Sequence, residues 1–144
     1  PPQGGYAGYP HYSDPNRGQV IANYWLSVFF GLIPALIYVA ILQPDADPRY
    51  RQSHINNLNF QILRAGVAIL LMLIMFIAGL SFGSVGTYGT GADMLGSLIA
   101  ISGLLLWLWN IGSFVLAIIG AATAPGKLDR GQPADHPINL RLVK

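Results

Sequence analysis

The chain has 144 residues, of which 53% are hydrophobic and 10% are charged, and its formal net charge at pH 7 is +2. A soluble globular domain carries about 25% charged residues, so this composition excludes a typical water-soluble domain and indicates an integral membrane protein. A charge of +2 is too small to favour nucleic-acid binding. The sequence contains no cysteine, which excludes disulfides and thiolate metal sites.

The N-terminal segment, residues 1–19, is rich in proline, glycine and tyrosine. Such a composition buries too little apolar surface to offset the entropy lost on ordering the chain. We expect this external tail to be held by a partner protein, which it would meet through Tyr6, Tyr9 and Tyr12.

The first predicted span covers residues 20–42. As a helix, this segment would reach roughly 35 Å, enough to cross a hydrocarbon core of about 30 Å. We expect Pro34 to kink the helix. Ser27, Gly31 and Ala35 recur every four residues and form a stripe of small side chains, where another helix can approach closely.

The second predicted helix follows a polar turn at residues 43–50. Asp47 is a predicted N-cap, with Pro48 at the first helical position. The helix should extend to about Leu80. Its first half is polar, whereas residues 65–80 are entirely apolar.

The third predicted helix follows a glycine-rich loop at residues 81–93. Asp93 is a plausible N-cap for this helix, and Pro125 with Gly126 should end it. Residues 125–144 would then form a polar C-terminal tail. The predicted fold class is all-α: a three-helix integral membrane bundle over residues 20–124, with an amphipathic extension preceding the second span.

The distribution of basic residues predicts the orientation of these spans. Three spans place the two ends of the chain on opposite sides of the membrane. One side carries Arg17, and Arg64 lies at the membrane border. The other side carries Arg49, Arg51, Lys127, Arg130, Arg141 and Lys144. The positive-inside rule therefore predicts a multi-pass membrane protein with an external N-terminus and a cytoplasmic C-terminus.

The stretch RQSHINNLNFQILR, residues 51–64, precedes the apolar half of the second helix. At about 100° per residue, its polar side chains form one narrow stripe. That stripe consists of His54, Asn57, Gln61 and Arg64.

Three interpretations of this stripe remain open. Its side chains can meet water and lipid headgroups, with Arg64 extending its charged end to the interface. They can instead form hydrogen bonds to another helix or to the C-terminal tail. His54 can also serve as a proton or substrate site. The predicted spans contain no aspartate or glutamate, which excludes a proton relay through carboxylates within them.

The segments HINNLNFQILR and HPINLRLVK resemble two signatures of a family of small bacterial membrane proteins of unknown function. That family is distantly related to the chloroplast inner-envelope import component Tic-twenty. The resemblance covers residues 20–144 and implies a fold without a known active site, in the plasma membrane of a bacterium. The chain has His136 where the family usually has tyrosine, and its N-terminal tail resembles those of actinobacterial membrane proteins. The matching positions are His54, Asn59, Phe60, Gln61, Pro137, Leu140 and Arg141.

Both signatures lie on the same predicted side of the membrane. We therefore expect the C-terminal tail to fold back against the start of the second helix, where polar side chains would satisfy its backbone groups. Replacing Asn59 or Gln61 with leucine should then destabilise the protein.

Other chemistry finds little support in the sequence. Ser53 and His54 are adjacent, so they do not face one another on a helix, and three scattered histidines do not form a metal site. Trp107, Trp109 and Asn110 are expected to pack between helices with local hydrogen-bond partners. We predict no enzyme activity, no cofactor, no nucleic-acid partner and no small-molecule substrate.

The predicted function is that of a non-catalytic accessory subunit that packs against a larger membrane complex, with membrane proteins and lipids as partners. An actinobacterial respiratory supercomplex is one candidate host. A protein-translocation or channel-forming component, similar to the import protein, is the first alternative. A small transporter or lipid-handling protein is the second.

Overall fold

The structure is a computed structural model that describes residues 15–42, 47–85, 90–138, 140 and 142–143. Tyr6, Tyr9 and Tyr12 lie outside the described residues, as do the contacts predicted for them. The described residues are all-α, in agreement with the predicted class, but the expected count of three helices is wrong. The helices are α1 (Pro15–Phe30), α2 (Leu32–Ala40), α3 (Pro48–Val85) and α4 (Thr90–Asp129).

The first predicted span is interrupted at Gly31, which separates α1 from α2. Gly31 has φ 63° and ψ −126°, close to the first central position of a type II′ turn, which favours glycine. Pro34 lies in the first turn of α2, where a helix makes no use of the missing N–H. One continuous span over residues 20–42 with a kink at Pro34 is therefore wrong, because the backbone reverses at Gly31.

The two helices on either side of Gly31 form a helical hairpin, hereafter the hairpin. Residues from the start of α1 and from the end of α2, including Gln19 and Ile41, line one shared groove. From Val20 to Phe30 the helix rises only about 15 Å, roughly half the thickness of a hydrocarbon core. The hairpin therefore returns to the end of the bundle from which it started.

The hairpin packs along the first half of α3. Asn23 is hydrogen-bonded to His54, and further along α1 the Val28 carbonyl accepts a hydrogen bond from Arg64. The residue numbers of the paired positions increase together along both helices, so α1 runs parallel to α3.

Helix α4 runs antiparallel to α1. Near the start of α1, Arg17 Nε lies 2.9 Å from Asp129 Oδ1 at the end of α4, while Phe29 meets Phe114 edge-on further along. Fully buried alanines of α4 line the same core cluster as Val20, Tyr24 and Val28 of α1. The start of α1 and the end of α4 consequently lie at the same end of the bundle.

Among the described residues, two helices are long and apolar enough to cross a membrane: Pro48–Ser81 within α3 and Asp93–Asp129 within α4. The predicted start of α3 is confirmed, because the Asp47 carboxylate accepts a 2.8 Å hydrogen bond from the Arg49 N–H. Helix α4 starts three residues before Asp93, which lies in its first turn rather than at its N-cap.

The end of α4 differs from the sequence prediction. Pro125 lies inside the helix, so the predicted stop at Pro125 and Gly126 is wrong. The helix ends instead at Asp129 and is followed by Gly131 in the left-handed conformation (φ 73°). Gln132 N donates to Lys127 O, and Gly131 N donates to Leu128 O. This pattern is a Schellman motif. Together with burial of Leu128, it holds the last turn despite the proline.

The described bundle is apolar outside and polar inside. Phe29, Ile33, Phe76 and Leu104 each leave more than half of their surface exposed. The largest fully buried side chains include Asn23, His54, Asn57, Asn59 and Gln61. A water-soluble protein shows the reverse arrangement, so this distribution fits an exterior that faces lipid or apolar helices.

Candidate functional site

Residues 53–61 of α3 are buried without interruption, because the hairpin, α4 and the C-terminal tail surround them. The side chains of His54, Asn57, Asn59 and Gln61 are 1% exposed or less. The interpretation in which these residues meet water and headgroups is therefore wrong. The polar stretch lies in the centre of the bundle.

Two buried asparagines connect two buried histidines in one hydrogen-bonded row, hereafter the histidine–asparagine row. His136 Nε2 lies 3.1 Å from Asn57 Oδ1. Asn57 Nδ2 donates to Asn23 Oδ1 at 3.0 Å, and Asn23 Nδ2 donates to His54 Nδ1 at 2.8 Å. Since Asn57 Oδ1 accepts and His54 Nδ1 accepts, each neutral imidazole in this row carries its proton on Nε2.

The small-residue stripe predicted in the first span faces α3 of the same chain. Ser27 Oγ accepts a hydrogen bond from Asn57 at 2.9 Å and donates to Asn23 at 3.3 Å. Gly31 forms the hairpin turn, and Ala35 is fully buried. The stripe therefore provides a close approach within this chain rather than a free face for a partner helix.

Aromatic rings hold the His136 imidazole on both faces. Its ring centroid lies 4.0 Å from that of Phe60 and 4.8 Å from that of Tyr24, and both pairs are stacked. A Cβ atom on Gly120 of α4 would overlap the imidazole ring. The absence of a side chain at Gly120 therefore leaves room for the His136 imidazole.

Sequence reasoning missed Asn23, Tyr38 and the role of His136. The Tyr38 ring stacks on His54 with centroids 5.5 Å apart. A single asparagine inside an otherwise apolar segment was the available signal for Asn23, because a buried amide needs partners. Those partners could not be identified without knowing that the backbone reverses between α1 and α2.

The C-terminal tail folds back onto the start of α3, which confirms that expectation. Ala134 N donates to Ser53 Oγ at 2.8 Å, and Asn56 Nδ2 donates to Ala134 O at 2.9 Å. The Asn59 amide accepts from Val143 N at 2.6 Å and donates to Val143 O at 3.1 Å. Side chains of α3 thus satisfy backbone groups of the tail at two separate points.

Beyond Asn59, the polar side chains of α3 no longer form hydrogen bonds to the tail. Neither amide atom of Gln61 has a hydrogen-bond partner among the described residues, so its predicted contact with the tail is wrong. Arg64 Nη1 donates to Val28 O at 3.3 Å, and its own carbonyl accepts from Trp109 Nε1 at 3.0 Å. The expected local partner of Trp109 is thereby confirmed.

The histidine–asparagine row joins α1, α3 and the C-terminal tail. Its members are two imidazoles and two amides, and no carboxylate belongs to it. The described part of the chain contains no group of three histidine or carboxylate side chains that could hold a metal ion.

Burial sets the protonation of His136, which lies in the tail beyond α4 and is 3% exposed. Loss of hydration lowers the pKa of His136 to about 4, although the Leu116 carbonyl and the Asp135 charge act in the opposite direction. The imidazole is therefore neutral near pH 7.

A model of the magnetosome magnetite crystal formation protein family matches residues 16–143. The chain belongs to this family. The match includes all four helices and the tail contacts, and it agrees with the expected class of a small bacterial membrane-associated protein. It gives no support for a relationship to Tic-twenty. No curated protein and no solved structure matches the chain.

A matched pair of leucine substitutions tests the tail contact. Asn59→Leu removes both hydrogen bonds to Val143 and should lower the free energy of unfolding by about 1–2 kcal/mol. Gln61→Leu removes an amide that has no hydrogen-bond partner. In phosphate-free detergent it should therefore lower the free energy of unfolding by no more than about 0.5 kcal/mol, or raise it. Thermal unfolding in micelles measures both, and equal losses for the two variants would contradict this account.

The His136 pKa predicts a pH dependence of stability. Folding lowers this pKa below the ordinary value of 6.5. Above pH 6.5 the imidazole is neutral in both the folded and the unfolded chain, so the contribution of buried, neutral His136 to stability is complete. That contribution falls as the pH is lowered toward 4, by up to about 3 kcal/mol. His136→Phe keeps a stacked ring that cannot titrate, and between pH 7 and pH 4 it should lose less stability than the wild type. Identical pH profiles would refute the assignment.

Proposed function

We propose that this chain is a non-catalytic integral membrane protein that acts through contacts between helices. Three hydrogen bonds join the side chains of the histidine–asparagine row inside the bundle, while the exterior of α3 and α4 is apolar. This arrangement supports binding to lipids and neighbouring membrane proteins. It is the single observation that carries the proposal.

Within that role, the family indicates the process. We propose that the chain is an accessory subunit in the assembly of a membrane that supports magnetite crystal formation, since the match extends over residues 16–143. The described residues contain no candidate metal cluster. An influence on the crystal through the organisation of membrane proteins therefore fits better than direct coordination of iron.

The alternative hosts considered from the sequence gain no support from the family match. Neither a respiratory supercomplex nor a protein-translocation role follows from it.

We further propose that both ends of the described chain lie on the cytoplasmic side. The ion pair between Arg17 and Asp129 joins the start of α1 to the end of α4, and the hairpin returns to the end at which it began. Five basic side chains gather at this end of the bundle, which favours a cytoplasmic location. They are Arg17, Arg49, Arg51, Lys127 and Arg130.

Single cysteines test this orientation, because the natural chain has none. Gly18→Cys and Gln132→Cys lie at one end of the bundle, and Asp93→Cys lies at the start of α4. In intact cells a membrane-impermeant maleimide should label the cysteine at position 93 and spare the other two. Labelling at positions 18 and 93 together, with position 132 spared, would instead support three spans.

Photo-crosslinking in native membranes tests the accessory role. A photoreactive phenylalanine analogue at Phe76, which is 64% exposed, should yield discrete adducts with other proteins. The matched control is the same analogue at Phe60, which is 1% exposed and should react only within the chain. Adducts with lipid alone at Phe76 would contradict the proposal. Recovery of magnetite-associated membrane proteins in the adducts would support the family's process.

A further inference from the structure

A cleft of about 290 Å³ lies at the turn of the hairpin, between the end of α1, the start of α2, α3 and Asn110 of α4. Its walls include the apolar rings of Phe29 and Phe30, and its polar lining comes from Gln61, Arg64 and Asn110. The cleft is separate from the histidine–asparagine row.

Gln61 points to a missing ligand in this cleft. Its side chain is 1% exposed, yet both Nε2 and Oε1 have no partner in the part of the chain that the structure describes. The Oε1 atom lies 4.0 Å from the position that a Cβ atom on Gly31 would take. A buried amide that lacks partners is costly, so an additional group with both donors and acceptors would stabilise it.

Arg64 brings a positive charge to the same cleft. Its guanidinium donates to the Val28 carbonyl, and none of the ion pairs among the described residues includes it. An ionised side chain within an apolar segment usually pairs with an opposite charge. Arg64 therefore has donors and charge available for an anion.

The third contribution comes from the N-terminus of α2, which follows Gly31 directly. No side chain caps this helix, so its first N–H groups and the positive end of its dipole face the hairpin turn. Uncapped helix N-termini bind anions, and interrupted helices in membrane transporters use their half-helix N-termini in this way.

We propose that this cleft binds a phosphate group. Donors from two helices and from a helix N-terminus suit the tetrahedral oxygens of phosphate, whereas a carboxylate offers two oxygens in one plane. A hydroxyl on the ligand, such as P–OH or a headgroup alcohol, supplies the donor that Gln61 Oε1 lacks. A phospholipid headgroup and free phosphate share this chemistry. The inference does not depend on the proposed accessory role.

Two substitutions in the cleft and one control test the proposal. Arg64→Gln removes the charge and should weaken phosphate binding at least tenfold. Gln61→Glu is nearly isosteric and supplies an internal carboxylate one turn from Arg64. It should exclude phosphate as strongly while leaving the bundle folded, which thermal unfolding verifies. The control, Arg51→Gln, removes the same charge from an exposed position on α3 and should bind as the wild type does.

Two arms of the measurement separate the sources of phosphate. Native mass spectrometry of protein taken from phosphatidylglycerol–phosphatidylcholine nanodiscs detects a retained anionic lipid, while ³¹P line broadening with inorganic phosphate in pure detergent detects the free ion. Retention of phosphatidylglycerol that both cleft variants abolish supports a lipid headgroup. Binding of the free ion with the same variant pattern supports free phosphate. Absence of binding in both arms, or equal binding by all four proteins, overturns the proposal.

Discussion

The whole arrangement depends on one constraint: a polar group enclosed by an apolar exterior is costly unless it is hydrogen-bonded, and most of the partners here come from the same chain. The first half of α3 carries more amides and imidazoles than a lone helix could satisfy, and the hairpin and the tail supply the complementary groups. Asn23 contributes from α1, and His136 contributes from the tail. The tail is therefore a component of the bundle core, because His136 and Ala134 fill positions that water would otherwise have to occupy.

The sequence predicted the local features of the fold better than its connectivity. The Asp47 cap and the start of α3 depend on neighbouring residues, and both predictions hold. The hairpin could not be predicted in this way, because the apolar composition of residues 20–42 is the same for one full span and for two half-spans. The outcome depends on the backbone angles of Gly31. It also depends on attraction between the polar face of α1 and that of α3, which no local pattern reveals.

The candidate site shows a similar division. Periodicity correctly grouped His54, Asn57 and Gln61 on α3, and the tail was correctly placed against them. Burial was misjudged, because a stripe of amides before an apolar segment has the same sequence signature at a lipid–water interface and in a helix core. The exposed fraction of such residues depends on what covers them. Here the cover consists of the hairpin and of a tail whose sequence looks polar and flexible.

The contrast between the closed histidine–asparagine row and the open cleft follows from the length of the hairpin. The polar stripe of α3 continues past Asn57 to Gln61 and Arg64, but α1 ends at Phe30 and the backbone turns at Gly31. The stripe thus extends about two helical turns beyond the last residue that belongs to the histidine–asparagine row. A longer α1 could have placed another amide opposite Gln61 and closed the network. Because the reversal occurs at Gly31, the turn exposes a helix N-terminus. Among the described residues, it also leaves the Gln61 amide without a hydrogen-bond partner and the Arg64 guanidinium without a counter-charge.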